Sequence, residues 1–585
     1  MSTIVPPSDR PAPSDPVDDR AGGDTAQRVS IITLGCGRNE VDSDQLAGLF
    51  HRDGAIIVDD PQTADVVLVN TCTFIAPAKQ ESVDTVLAAC QLKDDGNARA
   101  VLIVGCMAQR YPDELADSIP EADAIVGFDG YNRLPAIVAD VLGGRVTDRV
   151  IGVGAAHPGS RPTGRDLPLM IAPDASGSTD AVAAGDGTPD TSSAPGAGPT
   201  VSAAGIPTDA VADGAGRQRL LGLDVIERPR DDIEVATATE QDALDRMPAT
   251  GPRFPLRHLG VGGPRMPWSY LKIASGCDRV CTFCAIPSFR GRFRSRPLDE
   301  IVAEAAWLGD QGVRELVLVS ENTTSFGKDL PGGRGAQVRL LEQLGELDAI
   351  ERIRLMYLQP AELTGELLEA MTAHPKVASY FDLSLQHVSG PVVSRMARSG
   401  DHERFGELID RCRELDPDAV FRSNFILGFP GETETDVDRL EQFLVDHRLD
   451  WVGLFPFSRE DGTPSDHLPD QVPGDVAHDR VQRIADVQER LADESARAFV
   501  GRDLEVLVDG QDDTSGALLT VGRSYREAPD TDGEIELVAP DGSPADLPAG
   551  RVVTARVVDA VGVDLIARVD VEHAGDGLRA GVGRG

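Results

Sequence analysis

Nowhere in the 585 residues does an apolar run approach the ~20 residues that a membrane-spanning helix needs. The first 28 residues are rich in Pro, Asp and Ser and hold no apolar stretch of the kind found in an export signal, so they read as a disordered tail. Without such a signal the expected compartment is the reducing cytoplasm, where cysteines serve more often as metal ligands or nucleophiles than as disulfides. Basic residues are also short, with 56 Lys and Arg against 96 Asp and Glu, a net charge of −40. That balance repels phosphate backbones and argues against general nucleic-acid affinity, although an acid-biased proteome gives the same total without functional meaning. The run RGRFRSR (290–296) is a local exception. Residues 172–215 contain no aromatic, Lys or Arg. Such a segment cannot bury enough apolar surface to offset its ordering entropy, and residues 158–250 read as a disordered linker or insertion.

A missing ligand is more informative. In SGCDRVCTFC the residues Cys277, Cys281 and Cys284 fall within eight positions, with neither a fourth cysteine nor a histidine close behind. A structural zinc site wants four ligands and a disulfide wants an even number of cysteines. A C-x-x-C redox pair would leave Cys277 idle. What remains is a cubane iron–sulfur cluster held by three thiolates, with one iron open to a substrate or cofactor. Cys90 and Cys412 fall within helical patterns and read as buried small hydrophobes.

Between Val29 and about Gly144, three short β-branched runs (29–34, 65–70 and 100–105) look like buried parallel strands, and they lead to Cys36, Cys72 and Cys106. Open α/β sheets place ligands at the carboxyl ends of their strands, so these three cysteines are expected to converge. From Met266 to about Ser458, six strand candidates alternate with helical patterns, which predicts βα units around an open partial barrel. Its first strand runs into the Cys277 triplet, at the end where such barrels carry their sites. After a helical connection, five short alternating segments predict a small antiparallel β-barrel. The last 85 residues hold 17 acidic and 8 basic side chains. The fold expected is α/β: an N-terminal open sheet (29–157), a (βα)6 core (251–500) and a terminal barrel (501–573), with a tail at 574–585.

The C-x-x-x-C-x-aromatic-C pattern after the first strand resembles the radical S-adenosylmethionine superfamily. TLGCGRNEVDSDQLAG, VNTCTFIAPAKQES and VGCMAQRYPDEL, followed by SLQHVSGPVVSRMAR and RSNFILGFPGETETDVDRL, resemble the methylthiotransferases within it, and the terminal barrel resembles their TRAM domain. The resemblance implies two 4Fe–4S clusters, one on Cys36, Cys72 and Cys106 and one on Cys277, Cys281 and Cys284, with S-adenosylmethionine chelated by the open iron of the second. It implies a 5′-deoxyadenosyl radical that abstracts hydrogen from an unreactive carbon, where sulfur enters and is methylated; no protein general base is named for this step. Phe283 would lie near the adenine, or be a plain core aromatic. Glu321 would touch the methionine end, or cap a helix. Gly428 and Gly431 would let backbone approach the adenine, or serve a turn. The four arginines at 290–296 read as a solvated face, the alternatives being contact with a carboxylate or another domain.

Two branches of the family differ in substrate: one modifies an isopentenylated adenosine in tRNA, the other (the RimO type) an aspartate β-carbon in ribosomal small-subunit protein twelve. An acidic terminal barrel complements a basic ribosomal protein better than RNA. GRSYREAPDTDGEIEL (522–537) and SENTTSFGKDL (320–330) resemble the RimO-type segments. The protein branch is therefore expected, with an electron donor as further partner and no membrane. The tRNA enzyme is the alternative, and a non-catalytic iron–sulfur or zinc ribosome-docking protein is the alternative of another class. Two departures from the family are the long insertion and Arg38, where lysine is more usual.

Overall fold

In the computed structural model, residues 26–153, 266–512 and 518–569 are described. The expected linker at 158–250 and the tails at 1–28 and 574–585 lie outside the described residues, apart from residues 26–28 of the first and the sites below do not draw on them.

The first layer is a parallel six-stranded sheet made of β1 (Arg28–Thr33), β2 (Ile56–Ile57), β3 (Val66–Thr71), β4 (Ala100–Gly105), β5 (Ala124–Val126) and β6 (Val150–Ile151), in the order β2-β1-β3-β4-β5-β6. Strands β3 and β4 are buried along their whole length, as their unbroken apolar runs require. Alternation sorts their side chains: Val66 and Leu68 face one core with Leu46 and Phe50, while Val67 and Val69 face the other with Val83 and Val86. The helix Gly37–Arg52 thus covers one face and Ala76–Asp95 the opposite one. The strand order reverses at β1 and β3, so a ligand crevice is expected beyond their carboxyl ends.

The second layer contains the six strands expected from the sequence: β7 (Trp268–Lys272), β10 (Glu315–Val319), β11 (Arg352–Leu355), β12 (Tyr380–Gln386), β13 (Val420–Leu427) and β14 (Trp451–Pro456). They form two parallel trios, β11-β10-β7 and β12-β13-β14, linked by isolated bridges at Ile353–Val377 and Leu358–Leu383. The result is an open βα barrel around one large apolar core. A short antiparallel ribbon of β8 (Ala274–Ser275) and β9 (Arg294–Ser295) closes off the loop that carries the three later cysteines.

After the helix Gly474–Arg497, five strands form a closed barrel in the order β15-β16-β17-β19-β18, comprising β15 (Asp503–Asp512), β16 (Leu519–Arg523), β17 (Ile535–Val538), β18 (Val552–Val561) and β19 (Asp564–Val569). It is antiparallel as expected except at closure, where β17 and β19 run parallel. The barrel seals the amino ends of the central strands. Glu315 at the start of β10 is wholly buried and meets Arg354 at 3.0 Å, Arg523 of the terminal barrel at 2.7 Å and Arg352 at 3.6 Å. Burial opposes its ionisation, but the three guanidiniums prevail and hold its carboxyl at about 2. The APDTDG run (528–533) and Arg526 just before it dock here as well: Asp532 accepts from Tyr380 Oη at 2.6 Å, and Trp451 Nε1 donates to Arg526 O at 2.9 Å.

Candidate active site

All six cysteines of the two triplets lie at carboxyl ends of strands or in the loop following one, and none of the eight in the chain is in a disulfide. Cys36 is the N-cap of Gly37–Arg52, Cys72 follows β3, and Cys106 opens the helix Cys106–Arg110 directly after β4. Asn39 ties these ends together. Its Nδ2 donates to Leu34 O at 2.8 Å and Thr71 O at 3.1 Å, while Cys106 Sγ lies 3.6 Å from its Oδ1. Gly35, Gly105 and Gly276 each precede a cysteine at positive φ, and a β-carbon on any of them would strike its neighbours: Cys72 Sγ at 2.9 Å, Asn70 Oδ1 at 2.3 Å and Arg292 O at 2.0 Å. The repeated Gly-Cys dipeptide was the available sequence signal for these tight turns.

In the second triplet Cys277 N donates to Gly291 O at 3.0 Å, Cys284 N to Cys281 O at 3.2 Å, and Ile286 N to Cys284 Sγ at 3.3 Å. Phe283 is buried and meets Phe429 edge-on at 6.3 Å, within an apolar cluster that includes Cys281 and against which Phe74 and Ile75 of the first layer pack. Gly428 and Gly431 are both committed to packing. A β-carbon on Gly428 would lie 2.3 Å from Ala477 Cβ, and one on Gly431 2.3 Å from an Arg395 guanidinium nitrogen.

The two triplets face one seam. Glu321, just past β10, is wholly buried and neither of its carboxylate oxygens has a hydrogen-bond partner; Arg290 and Arg38 approach Oε1 only to 3.7 and 3.8 Å. It is not a helix cap. Arg38 also donates Nε to Cys36 Sγ at 3.3 Å. Across the seam Asp42 takes Lys272 Nζ at 2.8 Å on one oxygen and Arg290 Nη2 at 3.1 Å on the other; burial raises its pKa, but these two cations outweigh that and keep it ionised. A second bridge joins Lys79 and Arg110 to Glu460 at 3.0 and 2.8 Å.

The arginine run corrects the expectation of a solvated face. Arg290 is buried and reaches into the first layer, and Arg296 is buried against Glu304 at 2.7 Å and Lys272 O at 2.6 Å; of the four, only Arg292 is exposed. The alternative reading, contact with carboxylates and another domain, is what Arg290 realises. Sequence reasoning also passed over Asn39, Asp42, Lys272 and Glu460. The signal was there in GRNEVDSD, the first two turns of a helix with hardly an apolar residue, whose Arg38, Asn39, Asp42, Ser43 and Asp44 are all buried.

The donor sets suit iron–sulfur clusters. Burial pushes the Cys106 and Cys277 thiols up, and that of Cys284 to about 12 in spite of the Ile286 N–H and the nearby Arg38 and Arg110. Reactive nucleophiles are shifted the other way, whereas a metal takes such thiols as thiolates by releasing their protons. Among the described residues no three His, Cys, Asp or Glu side chains converge on a single ion. Each thiolate of a cubane serves its own iron, so spacing around a cube rather than around a point is what this cofactor asks of its ligands.

Comparison with known proteins agrees with this architecture. Residues 28–127 match the uncharacterized protein family UPF0004, 271–444 the radical SAM superfamily and 500–569 the TRAM domain. The ribosomal protein uS12 methylthiotransferase RimO of Kineococcus radiotolerans is 43% identical over 93% of this chain and 97% of its own length; that of Streptomyces avermitilis is 42% identical over 92% and 96%. A structure of the radical S-adenosylmethionine methyltransferase TsrM from Kitasatospora setae aligns with a TM-score of 0.45 at 15% identity, covering 75% of this chain and 77% of TsrM. Fold and site together define a radical S-adenosylmethionine enzyme with two cysteine triads. The chain belongs to the RimO family of methylthiotransferases.

Proposed function

We propose that this chain inserts sulfur at, and methylates it on, the β-carbon of an aspartate in ribosomal protein uS12. The near full-length similarity to RimO relatives supports the substrate. The observation that carries the chemistry is the meeting of two three-cysteine sets across one seam, with the Glu321 carboxylate, free of hydrogen bonds, between them. Cys36, Cys72 and Cys106 would hold one 4Fe–4S cluster, and Cys277, Cys281 and Cys284 the other. When bound, the clusters and S-adenosylmethionine supply the electron transfer, radical formation and sulfur chemistry.

The residues of the chain supply position and dryness. Phe283 and Phe429 form an apolar wall beside the second triplet, and the segment from Gly428 to Gly431 holds Phe429 against it. Glu321 offers two acceptor oxygens to a cationic or hydroxyl group of the cofactor. Asp42, Lys272, Lys79, Arg110 and Glu460 clamp the first layer over the carboxyl end of the barrel and keep water from the space between the triplets. No described helix is long and apolar enough to cross a membrane. A cytoplasmic location and a separate electron donor complete the reading.

Anaerobic reconstitution tests it directly: about eight irons per chain, from two clusters of four, are expected, with 5′-deoxyadenosine released on adding reductant and S-adenosylmethionine. A zinc protein without cofactor cleavage would overturn it. Intact mass of uS12 from a strain lacking the gene should fall to the unmodified value. An unchanged uS12 with loss of methylthioadenosine from tRNA would transfer the activity to the nucleic-acid branch.

A further inference from the structure

The helix Ile286–Arg290 is fixed at both ends to the second triplet and yet belongs, by its packing, to the first layer. Ile286 N donates to Cys284 Sγ at 3.3 Å, and Gly291 O, one residue past the helix, accepts from Cys277 N at 3.0 Å. Ile286 and Phe289 are buried in the same apolar core as Cys106, Phe128 and Tyr131. Its last side chain, Arg290, goes further. Nη2 donates to Cys106 Sγ at 3.2 Å, to Asn39 Oδ1 at 2.8 Å and to Asp42 Oδ2 at 3.1 Å, and the guanidinium lies 5.0 Å from the centre of the Phe128 ring. Seven residues of chain, Cys284 to Arg290, therefore lead from a cysteine of one set to the sulfur of the other.

The donors at the two sets differ in kind. Cys36 and Cys106 each receive a guanidinium N–H, from Arg38 and Arg290, whereas Cys284 receives the backbone N–H of Ile286. Hydrogen bonds to sulfur and local net charge are among the factors that set an iron–sulfur potential. A fixed positive donor favours the state with one more electron, because that state concentrates more negative charge on sulfur.

We infer that Arg290 is a positioning residue that locks the two cysteine sets in register and, through its charged hydrogen bond to Cys106, raises the reduction potential of the first cluster. The inference rests on the two-cluster reading above. The redox step concerned is a single-electron one: a chemical reductant such as dithionite gives one electron, the first cluster goes from its 2+ to its 1+ core, and no proton or bond is exchanged.

The test uses the full chain, reconstituted anaerobically, with iron counted before anything else. Fewer than two clusters in the unaltered protein would defeat the functional reading and this inference with it, an outcome that the iron count separates from a failure of the inference alone. With both clusters present, a redox titration followed by electron paramagnetic resonance measures each midpoint, the first cluster being isolated by a variant with Cys277, Cys281 and Cys284 all changed to Ala. Arg290→Gln should lower the reduced-to-oxidised ratio of the first cluster at fixed potential by about tenfold, equivalent to about 59 mV for one electron, with a several-fold smaller shift in the second cluster, measured with Cys36, Cys72 and Cys106 changed instead. Asp42→Asn, which removes the counter-charge but leaves Arg290 on sulfur, should move the first cluster the opposite way. Should Arg290→Gln lose the cluster or fail to fold, Asp42→Asn alone decides by the sign of its shift. Unchanged midpoints, equal shifts in both clusters, or an Asp42→Asn shift to lower potential would overturn the inference.

Discussion

At the scale of single residues, the six thiols and the polar groups around them divide the labour. Replacing Cys106 or Cys284 by Ala should reduce bound iron from about eight to about four per chain, with only the Cys284 variant losing release of 5′-deoxyadenosine; iron assay and product chromatography check both. Retention of eight irons in either variant would remove that residue from the ligand set. Glu321→Gln keeps the shape and removes the charge from a buried carboxylate that has no hydrogen-bond partner. Reconstituted protein should bind S-adenosylmethionine about tenfold more weakly, on the scale of one charged hydrogen bond, as read by equilibrium dialysis without reductant. Affinity equal to that of the unaltered chain would leave Glu321 as a charge partner for Arg38 and Arg290 only. The six cysteines proposed as ligands stood out because cysteine is scarce and its spacing carries chemistry. The residues that orient them were not: nothing in the local pattern says that Arg290 will find Asp42, which lies 248 positions away.

The element that matters most at the seam is the helix that follows Cys36. Gly37 begins the helix Gly37–Arg52, and a β-carbon there would lie 2.7 Å from atoms of the Tyr270 ring on β7. The backbone of the first layer therefore rests directly on the first strand of the barrel. Gly37→Ala should overpack this contact at a cost of about 1–3 kcal/mol, seen as a lower melting temperature and faster hydrogen exchange at the seam; adding Tyr270→Leu should recover part of the loss. A Gly37→Ala protein that melts with the unaltered one would mean that the two layers do not meet as closely as described. Most strands and the order of the three layers could be read from periodicity, since burial on both sides of a parallel sheet leaves unbroken apolar runs such as VVLVN. The two-residue strands β2 and β6 and the three-residue β5 were too short to leave a pattern. The parallel closure of the terminal barrel is a long-range pairing that alternation alone does not specify.

Over the whole molecule, the central barrel is closed at one end by the clusters' layer and at the other by the terminal barrel. The lower seam gives a pH dependence of definite sign. Glu315 ionises at about 2 in the folded chain against an ordinary 4.5, so its contribution is complete above about pH 4.5 and is lost as the pH falls toward 2. Asp532 behaves oppositely: burial lifts it to about 6 against the pull of Arg422, so its contribution is present below its ordinary 3.8 and fades as the pH rises through 6. Thermal melting between pH 2 and 5 should show the acid loss in the unaltered chain and a flatter profile in Glu315→Gln. That variant should also be less stable at neutral pH by about 3–5 kcal/mol, because Arg354 and Arg523 would be left buried without their shared carboxylate. A profile as steep in Glu315→Gln as in the unaltered chain would assign the acid loss to other carboxylates. The terminal barrel grips the core through Arg523, the 524–532 run and Glu505 O, which accepts from Arg352 Nη2, while Val552, Val558 and Val561 of β18 stay exposed. In evolutionary terms this makes the outside of that barrel cheap to vary: changes there can retune what the enzyme docks on without disturbing the strand ends where its chemistry is housed.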